Sequence, residues 1–359
     1  IPEAELPARA VPATPLSQII VFVDQSALEV KAANRIVEGI REFVLPRLDG
    51  TTAVLIAAFA ESLRVVAPLT TDRAEVELAL DELAKLRGRG SSVQSERNAI
   101  EADIRSTMVA APSNPQRRTE FLQSQRRRLE QEIRDYGERA LDRQQRSVAA
   151  LRTWVHALAS IEGRKSLLLA TNGISSNPSL YLQSLTDALI SGGSAFSVLS
   201  ESFTSDESLA TQGQRLMVEF EEMLREAENA RVAFYTVSPR TPPVVQGSSE
   251  FGGMGVEGSK APPRDIALVE QSSSVVRMAA VTGGGNLYVD DQLSRRLASV
   301  VDDEEAAYSL GFTTGETAGD RDQRIEVKVL RQGLEVRHRE SFRRRTLADR
   351  SAQALAAAT

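Results

Sequence analysis

Apolar residues fall along this chain in short continuous runs separated by stretches of helical period. The first run, Ile19-Ile20-Val21-Phe22-Val23, ends at Asp24 and has no polar alternation, as a strand buried on both faces requires. The spacing of Ile36, Val37, Ile40, Phe43 and Val44 predicts a helix from about Lys31 to Leu48. Ala53–Phe59 reads as a second buried strand and Leu63–Ala67 as a short third. Thr71-Asp72 opens a helix carrying Val76, Leu80 and Leu83, with Thr71 or Asp72 as N-cap and Glu75 placed for a capping box.

The rhythm changes after Gly90. Ile100, Ile104 and Met108 predict a helix over 94–109, which Pro112 and Pro115 end. From about Arg117 to Ile161 the helical pattern is nearly unbroken. At 1.5 Å per residue that is a rod of about 65 Å, so part of it is expected to project or to bend near Gly137. Packing against 94–109 covers some of its stripe. Leu129, Ile133 and Tyr136 are left as an apolar strip expected to meet a second subunit or a protein partner.

Alternation then resumes. Strands are predicted at Ser166–Thr171, Val232–Val237, Asn286–Val289 and Ala306–Phe312, and helices at Gln214–Ala230, Asp265–Val281 and Asp291–Val301. Residues 239–264, rich in Pro, Gly and Ser, form a loop expected to be the first site of proteolysis. The tail predicts a hairpin of Arg324–Leu330 and Leu334–Arg339 about a turn at Gln332-Gly333. Repeated strand–helix units specify a doubly wound, mostly parallel α/β sheet with helices on both faces, carrying a long helical insertion and a C-terminal β-hairpin. The division this implies is a lead-in over 1–17, a core over 18–93 and 141–313, the insertion over 94–140, the hairpin over 314–345 and a tail over 346–359.

Composition narrows the chemistry. The 359 residues include no cysteine and two histidines, His156 and His338, which removes thiol nucleophiles, disulfides and Cys/His metal sites. Neither histidine has a nucleophile or carboxylate partner in sequence, and there is no Gly-x-Ser-x-Gly elbow, so no catalytic residue is assigned. A net charge of −6 gives no general attraction to nucleic acid. Between Gln94 and Ala150 eleven Arg face nine acidic residues, so Arg126-Arg127-Arg128 reads as part of a salt-bridged helix face. Gly253-Met254-Gly255-Val256-Glu257-Gly258 spells a dinucleotide fingerprint but lacks the preceding strand and following helix. No apolar run reaches the 18 residues of a membrane span.

Ligands of such sheets bind beyond the carboxyl ends of the strands at the point where strand order reverses. There the first strand ends in Asp24-Gln25-Ser26-Ala27-Leu28, and Ser166-Leu167 leads into Thr171-Asn172-Gly173. With Leu63–Ala67 before Pro68-Leu69-Thr70-Thr71-Asp72, Phe234-Tyr235-Thr236-Val237, and Tyr308-Ser309-Leu310-Gly311-Phe312, the chain resembles von Willebrand factor A-like domains, in the VWFA-related branch common in Acidobacteria. The resemblance spans about residues 18 to 345. It implies a metal-ion-dependent adhesion site, in which Asp-x-Ser-x-Ser, a Thr and a further Asp surround Mg²⁺ and a partner's carboxylate completes the octahedron.

Carried over, Asp24 and Ser26 match, Leu28 replaces the second Ser, Ser91 or Ser92 stands for the Thr, and Asn172 for the last Asp. One ligand and one charge are lost, which predicts a degenerate site with Asp24 and Ser26 as the remaining metal candidates and no resident cofactor. Without the ion, Asp24 is expected to cap its own turn. The resemblance implies an extracytoplasmic bacterial interaction or scaffold module, non-catalytic, binding a protein or itself. A Mg²⁺-dependent adhesion domain is the alternative, and a hydrolase a remote one.

Overall fold

The computed structural model describes residues 17–50, 52–85, 90–159, 161, 165–190, 207–239, 263–290, 292–298, 323–328, 338 and 341–342. Its centre is a six-stranded sheet of β1 (Ser17–Asp24), β2 (Thr52–Phe59), β3 (Leu63–Thr70), β4 (Lys165–Ala170), β5 (Val232–Ser238) and β6 (Gly285–Tyr288). The order is β3-β2-β1-β4-β5-β6, parallel throughout except for β3, which pairs antiparallel with β2 at one edge. Every residue of β2, β4 and β5 is buried, which is why these strands read as continuous apolar runs.

Alternate residues of β1 feed two cores. Ile19, Val21 and Val23 face α1 (Val30–Val44), α2 (Arg73–Lys85) and a helical turn at 293–298. Ile20 and Phe22 face the end of α4 (Pro115–Leu158), α6 (Glu207–Asn229) and α7 (Pro263–Thr282). Asp72 caps α2, its Oδ1 accepting from Ala74 N at 2.8 Å and Glu75 N at 3.4 Å. The Asp72 amide, however, donates to Thr70 Oγ1 at 3.1 Å, so Thr70 takes the place foreseen for Glu75. This is a doubly wound α/β fold.

The cover of the insertion corrects one expectation. α4 itself is a single helix of 44 residues, as its nearly unbroken period predicted, and is not interrupted at Gly137. Gly137 marks a close approach, since a Cβ there would stand 3.0 Å from Ser179 Oγ and 3.2 Å from Leu209 Cδ1. Nor are Leu129, Ile133 and Tyr136 exposed for a partner: they retain 0%, 2% and 4% of their accessibility. They form a third core with Ile100 and Ile104 of α3 (Gly90–Ala110) and with Tyr181, Leu182 and Leu185 of α5 (Leu180–Ile190). α5 supplies the cover that the sequence reading lacked, and it follows a turn with Asn177-Pro178-Ser179 at its start.

The two-residue strands β7 (Gln323–Arg324) and β8 (Ser341–Phe342) pair antiparallel. β8 lies beyond the predicted second strand, Leu334–Arg339, most of which lies outside the described residues together with the turn at Gln332-Gly333. The expected strand over 306–312 lies outside the described residues, as does most of the 239–264 loop.

Candidate functional site

β1 and β4 are neighbours whose connections leave in opposite directions, so the crevice beyond Asp24 and Thr171 is the sheet's switch point. A cavity of about 130 Å³ lies there. Its floor comes from the strand ends: Asp24, Ser26 and Ala27 after β1, Asn172 to Ser175 after β4, Ser238 and Pro239 after β5. Its wall comes from the insertion. α3 contributes Gly90, Val93, Gln94 and Arg97, and α4 contributes Tyr136, Ala140, Arg143, Gln144 and Ser147, each set at the three- and four-residue steps of one helix face.

Asp24 is 3% exposed, and both its oxygens are engaged. Oδ1 accepts from Ser26 N at 3.1 Å and Ser26 Oγ at 2.5 Å. Oδ2 accepts from Ser147 Oγ at 2.5 Å, a bond that ties the strand end to α4 across 123 residues of sequence. Burial pushes the Asp24 carboxyl above the ordinary aspartate value, opposed by the hydrogen bonds from Ser147, Ser26 and Ala27. The expected local cap is therefore present, with an added partner that no sequence spacing announced.

Leu28 is fully buried in the core beneath α1. Its backbone abuts α3, where a Cβ at Gly90 would stand 2.1 Å from the Leu28 carbonyl oxygen; only glycine permits that approach. Asn172 donates its amide NH2 to the Ala27 carbonyl oxygen, stapling the β4 loop to the β1 loop. An aspartate here would set a carboxylate against that carbonyl, so the amide is the group this loop needs. Gly173 follows at φ 88°, with its Cα so close to α7 that a Cβ would lie 2.2 Å from Gln271 O. Ile174 N donates to Ser274 Oγ at 2.7 Å and Ser175 N to Gln144 Oε1 at 2.9 Å, which fixes the rest of the loop. Of the proposed threonine substitutes, Ser92 is exposed and does not line the cavity, and the Ser91 side chain lies outside the described residues.

The cavity wall is cationic and amidic. Arg143 is half-buried, and burial lowers its pKa, with Glu96 and Tyr136 opposing the shift. Its Nη2 has no hydrogen-bond partner and stands 4.0 Å from Glu96 Oε2. Arg97 Nη2 donates to Gln94 Oε1 at 2.8 Å. Tyr136 is held above the usual tyrosine range by burial, against the pull of Arg97 and Arg143. Sequence reasoning missed this wall because one turn of α4 gives no sign of which strand ends it faces.

The donor set does not fit Mg²⁺. The one buried carboxylate is filled by hydroxyl and amide donors, Leu28 points into the core, the Asn172 amide is committed to Ala27, and two guanidiniums line the same space. Among the described residues no three His, Cys, Asp or Glu side chains are grouped as metal ligands would be.

No protein-family model matches the sequence, and no curated protein matches it either. Among solved structures, the chain is similar to a conserved hypothetical protein, BatB, from Bacteroides thetaiotaomicron, at 11% identity over 81% of this chain and 100% of that one, with a TM-score of 0.34. An aerotolerance-related membrane protein from Bacteroides fragilis matches at 11% identity, 81% and 100% coverage and a TM-score of 0.32. A mutant of the PilB minor pilin from Streptococcus sanguinis matches at 11% identity over 80% of this chain and 61% of that one, with a TM-score of 0.35. At those scores the likenesses carry no weight for function. The α/β class rests on the strand order and the parallel register. No helix among the described residues is long and apolar enough to cross a membrane.

Proposed function

We propose that this chain is a non-catalytic protein-interaction module of the von Willebrand factor A-like kind, extracytoplasmic in a bacterium, whose adhesion site has been rebuilt without a metal. The observation that supports it is the Asp24–Ser147 hydrogen bond: the acidic strand end that would face an ion faces a serine of the inserted helix instead. The insertion converts an open strand-end crevice into a walled polar cavity, and a partner meets that cavity. No resident cofactor is assigned. No catalytic role is proposed for the cavity; the serines nearest Asp24 are read as donors that hold its carboxylate in place.

The test is differential capture from envelope extracts of the source bacterium. Gln94→Trp obstructs the cavity mouth from α3, and Leu78→Glu alters an α2 position that is 70% exposed and remote from it. A partner retained by wild type and Leu78→Glu but lost with Gln94→Trp supports the reading. Equal retention by all three proteins contradicts it.

A further inference from the structure

We infer that the outer end of the inserted arm, the turn between α3 and α4, rests on an anionic phospholipid surface, with Val109 entering the interface and Arg117 and Arg118 meeting lipid phosphates. This contact is separate from the cavity, and its test does not depend on the cavity being a binding face.

Three observations carry it. First, the arm ends in apolar surface left in solvent. Val109 is 89% exposed, more than any other large hydrophobic side chain among the described residues. It stands in the run Met108-Val109-Ala110-Ala111-Pro112, and from Ser106 to Gln116 there is no charged side chain. A single exposed valine is ordinary on a protein surface; this one differs in its neighbours.

Second, those neighbours are cations without partners. Elsewhere on the arm Arg105 pairs with Glu101, Arg126 with Glu130 and Asp187, Arg128 with Asp103, and Arg139 with Glu96. Arg117 and Arg118 form no ion pair among the described residues, and Glu120, the nearest carboxylate along α4, pairs with neither. The helix end is not itself the site, since its amides at Gln116 and Arg117 already donate to Asn114 Oδ1 at 3.1 and 3.2 Å. Aliphatic residues beside arginines suit a bilayer interface, where the apolar groups leave water and the guanidiniums stay level with the phosphates. A nucleic acid would engage the arginines and leave Val109 in water.

Third, the charge distribution orients the molecule. The chain carries a net −6, so an anionic surface repels it as a whole. The tip is the exception, and it is distant. At ~1.5 Å per residue, Pro115 lies roughly 40 Å along α4 from Leu141, where packing on the sheet begins. Surface potentials decay over about 10 Å at roughly 0.1 M salt, so the tip can sit inside the field while the sheet stays beyond it.

The experiment is co-sedimentation of the whole chain with vesicles of phosphatidylcholine alone, and of phosphatidylcholine mixed with an equal amount of phosphatidylglycerol. Binding is expected to the mixed vesicles only, fading as salt rises. Arg117→Gln combined with Arg118→Gln should weaken it about thirtyfold, the effect of two charges near such a surface. Arg215→Gln combined with Arg225→Gln, which removes the same charge from exposed positions of α6, should leave it unchanged. Val109→Ser should weaken it several-fold. Val109→Trp should tighten it, with a blue shift of the indole emission on vesicle binding that Val218→Trp, exposed on α6, does not show.

No sedimentation with the mixed vesicles, equal binding to phosphatidylcholine alone, or equal loss in the α6 double variant overturns the inference. Wild-type affinity in Val109→Ser also overturns it; if polyglutamate then competes for the arginines, the tip is a charge contact for an acidic protein and not for lipid.

Discussion

The two halves of α4 have the same apolar stripe and different work. From Leu141 to Leu158 the stripe packs on the sheet beside α6, around Phe22, Trp154 and Phe220. From Leu129 to Ala140 it leaves the sheet and is covered by α3 and α5. The stripe does not change where the neighbours change, because a helix face records only that it is buried. The polar cavity lies at the handover, between Tyr136 and Ser147, where one core ends and the other begins. A long helix in an α/β protein therefore does not have to project or to dimerise; a second small core can hold it, and the junction can become a site.

The sharpest way to break that comparison is to empty one core and watch the other. Leu129→Ala should lower stability by about 2–5 kcal/mol, the usual range for a buried leucine. Because α4 is continuous, the loss should appear in one cooperative urea transition that also carries the sheet. A biphasic curve in which only an early phase moves would show that the arm melts separately.

A smaller effect is expected at the loop that seats the junction. Asn172→Asp removes the donor to Ala27 and places a carboxylate against that carbonyl and near Asp24, at a cost of about 1–3 kcal/mol measured by denaturation. The same change combined with Leu28→Ser should not create Mg²⁺ affinity by calorimetry, since residue 28 lies in the core. A stable double variant that binds Mg²⁺ would show that the β1 loop can turn that side chain out.

Smaller again is the pH response of Asp24. Its folded pKa is raised, so the native state holds a proton the unfolded chain has already released. Stability therefore falls as pH rises from about 3.8, the unfolded value, through the folded pKa, and the penalty persists at neutral pH. Asp24→Asn should remove this contribution from the acid titration of stability, while its NH2 group cannot accept from Ser26 or Ser147 as the carboxylate oxygen it replaces does. An unchanged pH profile would mean that Asp24 is solvated. The smallest effect is that of Mg²⁺: millimolar additions, or their removal by chelator, should leave Tm unmoved, whereas an ion bound only to the folded state raises it by mass action.

Much of the fold was legible because β1, β2, β4 and β5 are buried on both faces and write that fact as unbroken apolar runs. Asp24, Ser26 and Asn172 were legible too, since strand ends at a switch point are where such sheets bind. α5 was overlooked: its residues 180–182 and 185 are buried on more than one side, so no clean stripe appears in its eleven residues. That omission left Leu129, Ile133 and Tyr136 without visible cover. Ser147, Arg143 and Gln144 were illegible for another reason. They are ordinary polar residues on a charged helix until tertiary packing sets them opposite Asp24.

The joining of arm and strand end is tested most directly by a double-mutant cycle on Asp24→Ala and Ser147→Ala, with unfolding free energies measured in urea at neutral pH. A coupling between roughly 0.5 and 3 kcal/mol is expected for two side chains in direct contact. Additivity within about 0.3–0.5 kcal/mol would mean that α4 does not close on the β1 end, and the cavity account would be wrong.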